Sequence, residues 1–212
     1  GTSTISDSGP VRAAIIDEVT VTASVNTTLE FEVSGTGSGS SVNGTTTTGN
    51  ANNLTLPFGT LTVNEIETLA HDLTVVTNAA NGYSVTIELS GPLDSSTGAI
   101  IDSFVDGGDT SVPQTWTAPS PDINDDKTWG HWGVTSEDAT TTRANQFAEG
   151  AGTWAGMATS SPTIIMGHTG PANGVAQGIG AARIGYQIQI SALQEAGDDY
   201  DTTLRYIATP TF

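Results

Sequence analysis

The sequence predicts an all-β fold, an antiparallel β-sandwich of the immunoglobulin-like or jelly-roll-like kind carrying a long irregular Trp-containing insertion. Two observations carry this. Apolar and polar residues alternate with period two over a series of short stretches bounded by turn residues, the signature of half-buried strands. Charged residues make up only 13% of the 212, about half the usual share. Thr, Ser, Asn, Gln and Gly must then supply the polar surface, which suits strands and loops.

Residues 1–10 are small and polar and end at Pro10, reading as an exposed tail. The chain starts at Gly1 with no Met and no apolar leader, so a signal peptide is expected to have been removed. Alternation then begins. Val11, Ala13 and Ile15 share one parity, and after Asp17-Glu18 it resumes through Val19, Val21, Ala23, Val25, Leu29, Phe31 and Val33, interrupted near Asn26-Thr27-Thr28. Residues 34–53 are low in complexity, rich in Gly, Ser, Thr and Asn, and read as a mobile loop. Strand patterning returns at 54–63 and 72–77. Asn81-Gly82 marks a turn, and Tyr83, Val85, Ile87 and Leu89 alternate beyond it. Two further strands hold Ile184, Tyr186, Ile188 and Ile190, then Leu204, Tyr206 and Ala208.

Between about 92 and 182 the pattern decays into Pro, Gly, Asp and all four Trp. This region reads as an insertion of loops and short strands over the end of a sandwich spanning 19–212, with a short helix around 137–148. Residues 1–18 form a tail and a candidate donor strand.

The balance of 23 acidic against five basic residues gives a formal charge of -18. Such a chain repels phosphates and anionic lipid heads, so no nucleic acid partner is expected. No apolar run approaches the ~20 residues of a membrane-spanning helix, so no membrane insertion is expected. Cysteine is absent, which rules out disulfides and Cys-based metal or redox sites.

Three His residues, His71, His131 and His168, lie far apart with no paired-ligand spacing. No nucleophile elbow or P-loop occurs, and no enzyme site is expected. A glycan-cleaving site would need two carboxylates at roughly 5–10 Å across one cleft, which no spacing establishes. No cofactor is required. Calcium is the one ion the loops suit, best at Asp198, Asp199 and Asp201, since clustered loop carboxylates supply its oxygen ligands. Asp122, Asp125 and Asp126, and the pair Asp106 and Asp109, are further clusters; all read equally as solvated turn residues. Trp116, Trp129, Trp132 and Trp154 could form a glycan-stacking platform or seal the insertion against the sandwich. Sequons at Asn26, Asn43 and Asn53 are glycosylation candidates.

The segments VTVTASVNTTLEFEVSG, LTVVTNAANGYSVTIELSG and TTLRYIATPTF resemble secreted β-sandwich surface proteins of the WxL-like type and, more broadly, self-assembling pilin or coat subunits. The resemblance implies an exported cell-envelope role without catalysis. No Trp-x-Leu triplet is present, so assembly through the subunit's own strand is the expected means of staying outside the cell.

The leading expectation is an extracellular filament or surface-layer subunit that polymerises with copies of itself. Val11, Ala13, Ile15 and Ile16 would be the inserted strand, entering the next subunit or folding back into its own sheet, and Val19–Val25 the subunit's own first strand. The alternative is a monomeric glycan-binding or adhesin module using the Trp residues.

Overall fold

The computed structural model describes residues 1–4, 9, 18–106, 112–138, 147, 152–157, 159, 161–197 and 200–212. Among them the chain is all β, with one 3-10 turn at Asp126–Thr128. The strands are β1 (Leu29–Gly35), β2 (Ser41–Val42), β3 (Thr45–Thr46), β4 (Ile66–Thr77), β5 (Tyr83–Leu89), β6 (Leu93–Asp94) and β7 (Ile100–Ser103). They continue as β8 (Gln114–Thr115), β9 (Gly130–Ser136), β10 (Thr153–Trp154), β11 (Thr163–His168), β12 (Ala172–Asn173), β13 (Ala181–Ile190) and β14 (Leu204–Pro210).

Two main sheets form. The larger runs β1-β4-β13-β9-β7-β6, with β12 also beside β4; the smaller runs β11-β5-β14. The pairing is antiparallel except for β7 with β9, which is parallel, so the larger sheet is mixed rather than purely antiparallel. The alternation in β5 turns Tyr83, Val85, Ile87 and Leu89 inward. They meet Leu73 and Val75 of β4 and Ile184 and Tyr186 of β13 in the core between the sheets. Each such side chain contributes about 1.5–3 kcal/mol on burial. Gly82 (φ +80°) makes the turn into β5, where a Cβ would meet the His168 carbonyl at 1.8 Å. No helix among the described residues is long and apolar enough to cross a membrane.

Three expectations need correcting. First, neither 18–28 nor 54–63 forms a strand, and 18–28 are exposed throughout; the first strand is Leu29–Gly35, beyond the Asn26-Thr27-Thr28 interruption. Second, residues 34–53 are no free loop. Val42 and Asn43 are buried, and the β2–β3 hairpin turns on Asn43 (φ 42°) and Gly44 (φ 83°), the geometry of a tight Asn-Gly turn. Its polar side chains are used: the Asn43 amide donates to Thr135 Oγ1 (2.6 Å), and Thr47 Oγ1 to the Gly37 carbonyl (2.7 Å). Third, the 92–182 region is built into the sheets. It supplies β9, paired along seven positions with β13, and β11, an outer strand of the smaller sheet. β9 escapes period-two reading because all of Gly130–Ser136 is buried. Most of the expected 137–148 helix lies outside the described residues.

Candidate functional site

Strand edges, rather than a pocket, are where this surface offers chemistry. The two best-formed clefts each measure about 230 Å³, below the roughly 300–1,000 Å³ of small-molecule sites. Among the described residues no group of three or more His, Asp or Glu is placed to hold a metal ion.

The segment before β1 reads as a strand and is not paired as one. Val19, Val21 and Val25 are 82%, 87% and 84% exposed, alternating with Thr20, Thr22 and Ser24. Its C-terminal end is tethered. One step beyond the last main-chain pair, Leu29 with Thr77, the Asn78 side chain replaces the ladder. Its Oδ1 accepts from Thr28 N (2.8 Å), and its Nδ2 donates to the Asn26 carbonyl (2.8 Å). Thr77 Oγ1 donates to the Thr28 carbonyl (2.7 Å). Among the described residues no hydrogen bond holds 18–25.

The sheet edges differ in how they are defended. β11 carries a bulge between Ile164 and Met166. Its Ile165 carbonyl accepts from Ser136 Oγ (2.5 Å), and its Gly167 N–H donates to Asp138 Oδ2 (2.7 Å). Bulges and side-chain caps of this kind stop further pairing. β6 has two residues and meets Asp201 through Asp94. β1 points Glu30 and Glu32 outward, and Gly35 is closed over by Ala51 and Asn52, so that a Cβ there would meet the Ala51 carbonyl at 2.2 Å.

β14 carries no bulge and, among the described residues, no side-chain cap; its defences are one charge, Arg205, and Pro210 at its end. Ser90 N donates to the Thr203 carbonyl (2.9 Å) and Thr211 N to the Gly82 carbonyl (2.7 Å) at the two ends of the β5–β14 ladder. Bonded pairs alternate in an antiparallel ladder. Odd-numbered β14 residues therefore bond β5, and the main chain of Leu204, Tyr206 and Ala208 points away from it. Among the described residues nothing hydrogen-bonds those outward groups. Pro210 has no N–H and ends the row. The side chains of these three residues are half-buried against the core, as are Leu29, Phe31 and Val33 on β1. The Phe31 and Tyr206 rings meet edge-to-face across the seam at 6.3 Å. Two edges with half-covered apolar rows thus lie on either side of this ring contact.

Beneath this seam His71 is fully partnered. Its Nε2 donates to the Asn52 carbonyl (2.8 Å), so Nδ1 accepts from the Tyr206 hydroxyl (2.8 Å), which lies 2.6 Å from the Tyr186 hydroxyl. Burial lowers the His71 pKa, and the ring is neutral. Both tyrosine hydroxyls are raised well above the ordinary value by burial. His131 is likewise interior, with Nδ1 on Asp106 Oδ1 (3.0 Å) and Nε2 on the Thr117 carbonyl (2.9 Å). Burial lowers its pKa, while the Asp106 carboxylate pulls the other way. His168 is half-buried in β11. The three histidines sit in different surroundings and make no common centre.

The remaining sequence candidates disperse. Val11, Ala13, Ile15 and Ile16 lie outside the described residues, as do Asp198, Asp199 and Asp109. Asp201 is exposed and bridges to Asp94 through its backbone. Asp122 and Asp125 accept from the backbone N–H groups of Asn124 and Lys127, as turn residues do. The four tryptophans form no exposed platform. Trp132 and Trp154 are 4% and 1% exposed. Trp116 stacks on Phe104 at 4.7 Å and donates to Gln189 Oε1, and half-buried Trp129 donates to the Asp122 carbonyl (2.7 Å). The indoles seal the loops against β9 and β13. Asn26 and Asn53 are exposed, but buried Asn43 has no room for a glycan.

Sequence reasoning missed the β14 edge and the Asn78 tether, which depend on tertiary pairing. The bare Val19–Val25 strand was within reach: the Asn26-Thr27-Thr28 interruption, not Asp17-Glu18, marks where self-pairing stops. Comparison with known family models, curated proteins and solved structures found no match for the chain.

Proposed function

We propose that the protein is a structural subunit of an extracellular filament or surface layer, in which each copy donates its N-terminal strand to the next. One observation carries this reading: a seven-residue apolar-alternating stretch, Val19–Val25, stands bare on a sandwich whose β14 edge has outward main-chain groups without a partner among the described residues. Alternating apolar side chains plus a free main-chain edge are what strand addition uses. Head-to-tail contact that does not close builds a filament.

Magnitudes set how the assembly behaves. Burying each valine gains about 1.5–3 kcal/mol, and ordering each residue costs about 1–2 kcal/mol. The ladder bonds decide the balance, so assembly depends on concentration. The charge of -18 makes copies repel, and salt shortens that repulsion to a screening length of about 8 Å at physiological strength. Polymerisation should therefore rise with salt.

The test is sedimentation velocity with negative-stain electron microscopy on the full chain and on a chain lacking residues 1–25, which keeps the Asn78 tether. The full chain should polymerise as concentration and salt rise, and the shortened chain should stay monomeric. A full chain that stays monomeric, or a shortened one that polymerises, defeats the reading.

A further inference from the structure

We infer that the accepting surface is the outer edge of β14, and that its occupant is Val19–Val25 of a second copy of this chain. This rests on the strand-donation reading and adds to it where the strand goes.

Elimination comes first. β11 is bulged and capped by Ser136 and Asp138, β6 is two residues long, and β1 is flanked by Glu30 and Glu32 and closed at Gly35. Outward carboxylates on an edge strand discourage pairing. β14 presents Arg205, Ile207 and Thr209 instead. Ile207 is 38% exposed, an apolar residue on the outer face where a neighbouring strand would cover it.

Complementarity comes second. The bare stretch and β14 are both seven residues long. Val19, Val21, Ala23 and Val25 share one face, matching the half-covered row of Leu204, Tyr206 and Ala208. The outward donor residues, Thr20, Thr22 and Ser24, carry no charge and lie well beside Ile207 and Thr209.

The tether argues for a second copy rather than self-insertion. Asn81 N donates to the Thr211 carbonyl (3.1 Å), so the Asn78 corner lies at the Pro210 end of β14. The donor leaves the molecule at that foot, held in line with β1 by Asn78. Entering its own slot would require reversing at the residues Asn78 holds.

The experiment exploits the absence of cysteine, since every introduced thiol is unique. Thr22 is the middle of the donor and Ile207 the middle of β14, so they face each other whichever way the strand runs. Full-length Thr22→Cys is mixed with Ile207→Cys, with Glu32→Cys on β1, or with Thr163→Cys on β11, then oxidised and resolved by mass. The expected result is a mixed disulfide with Ile207→Cys at least tenfold above the other two. Cross-linking chiefly to Glu32→Cys or Thr163→Cys, with polymers intact, overturns the β14 assignment and leaves strand donation standing. Absence of polymers in every mixture and in the parent chain defeats both. A second variant, Ala208→Pro, removes an outward N–H that β5 does not use, a position where an edge strand tolerates proline. It should stay folded by circular dichroism and lose polymerisation. Folded, normally polymerising Ala208→Pro overturns the assignment.

Discussion

Residues 18–28 and residues 36–48 flank the same strand, β1, and meet opposite fates. The first carries valines on alternate positions and is exposed along its whole length. The second, mostly Gly, Ser and Thr, holds Val42 at 0% exposure and Asn43 at 2%. The difference lies in where each finds hydrogen-bond partners. The hairpin finds them at once: Asn43 reaches Thr135 and Glu137, and Thr48 donates its N–H to the Thr68 carbonyl of β4 while its Oγ1 accepts from the Thr68 N–H. Among the described residues the N-terminal segment finds only Asn78 and Thr77, and only for its last three residues. Alternation states that a strand wants a partner; it does not state that the partner belongs to the same molecule.

The contrast can be broken by substitution. The largest effect is expected from Val21→Asp combined with Val25→Asp. It should abolish polymerisation in sedimentation while changing the free energy of urea unfolding by no more than about 0.5 kcal/mol, since both side chains are exposed. A large loss of monomer stability would mean that the segment is not bare. Next comes Asn43→Ala in the hairpin, which forces a left-handed backbone on alanine and removes a buried bond. It should cost about 2 kcal/mol in urea unfolding and leave polymerisation of the folded fraction unchanged.

The smallest effect is a pH slope. His71 holds the Asn52 end of the packed stretch as a neutral ring, with its pKa below 6.5. The unfolded chain takes up a proton near 6.5 and the folded chain resists it. This contribution is therefore full above about 6.5 and lost as pH falls toward the folded value. Neighbouring Asp72 moderates the shift by favouring the charged ring. Stability of the parent should fall between pH 6.5 and 5 more steeply than that of His71→Gln. Equal slopes would show that His71 does not sense pH.

Much of the fold was legible in the amino acids. β5 and β14 follow their alternation to within a residue or two, because each turns one face to the core; β13 starts three residues earlier than its alternation and is covered on both faces, yet stays legible because its second face is Gly and Gln. β9 was hidden: Gly133 packs where a Cβ would meet the Ala155 carbonyl at 2.8 Å, and both faces of the strand are covered. The tryptophans near it fill space against Phe104 and Gln189, which no spacing distinguishes from a glycan platform. The hairpin was hidden for the opposite reason. Gly, Ser and Thr read as a linker until their hydroxyls and turns are matched to particular carbonyls. The candidate site was half legible: the donor's chemistry is written in its valines, whereas a free edge is a property of sheet order, which local pattern does not encode.

The Asn78 tether also has a mechanical meaning. A pull along a docked N-terminal strand reaches the body of the subunit through Asn26–Thr28 and then runs into β1, whose seven pairs with β4 lie parallel to the pull. That ladder is loaded in shear, all rungs sharing the tension, rather than peeled open one at a time. If the next strand is received on β14, as proposed, the two attachment points lie on different sheets, and force along a chain of subunits would cross the packed apolar layer between them. Resistance to traction would then be set by that layer's unfolding rate rather than by any single hydrogen bond.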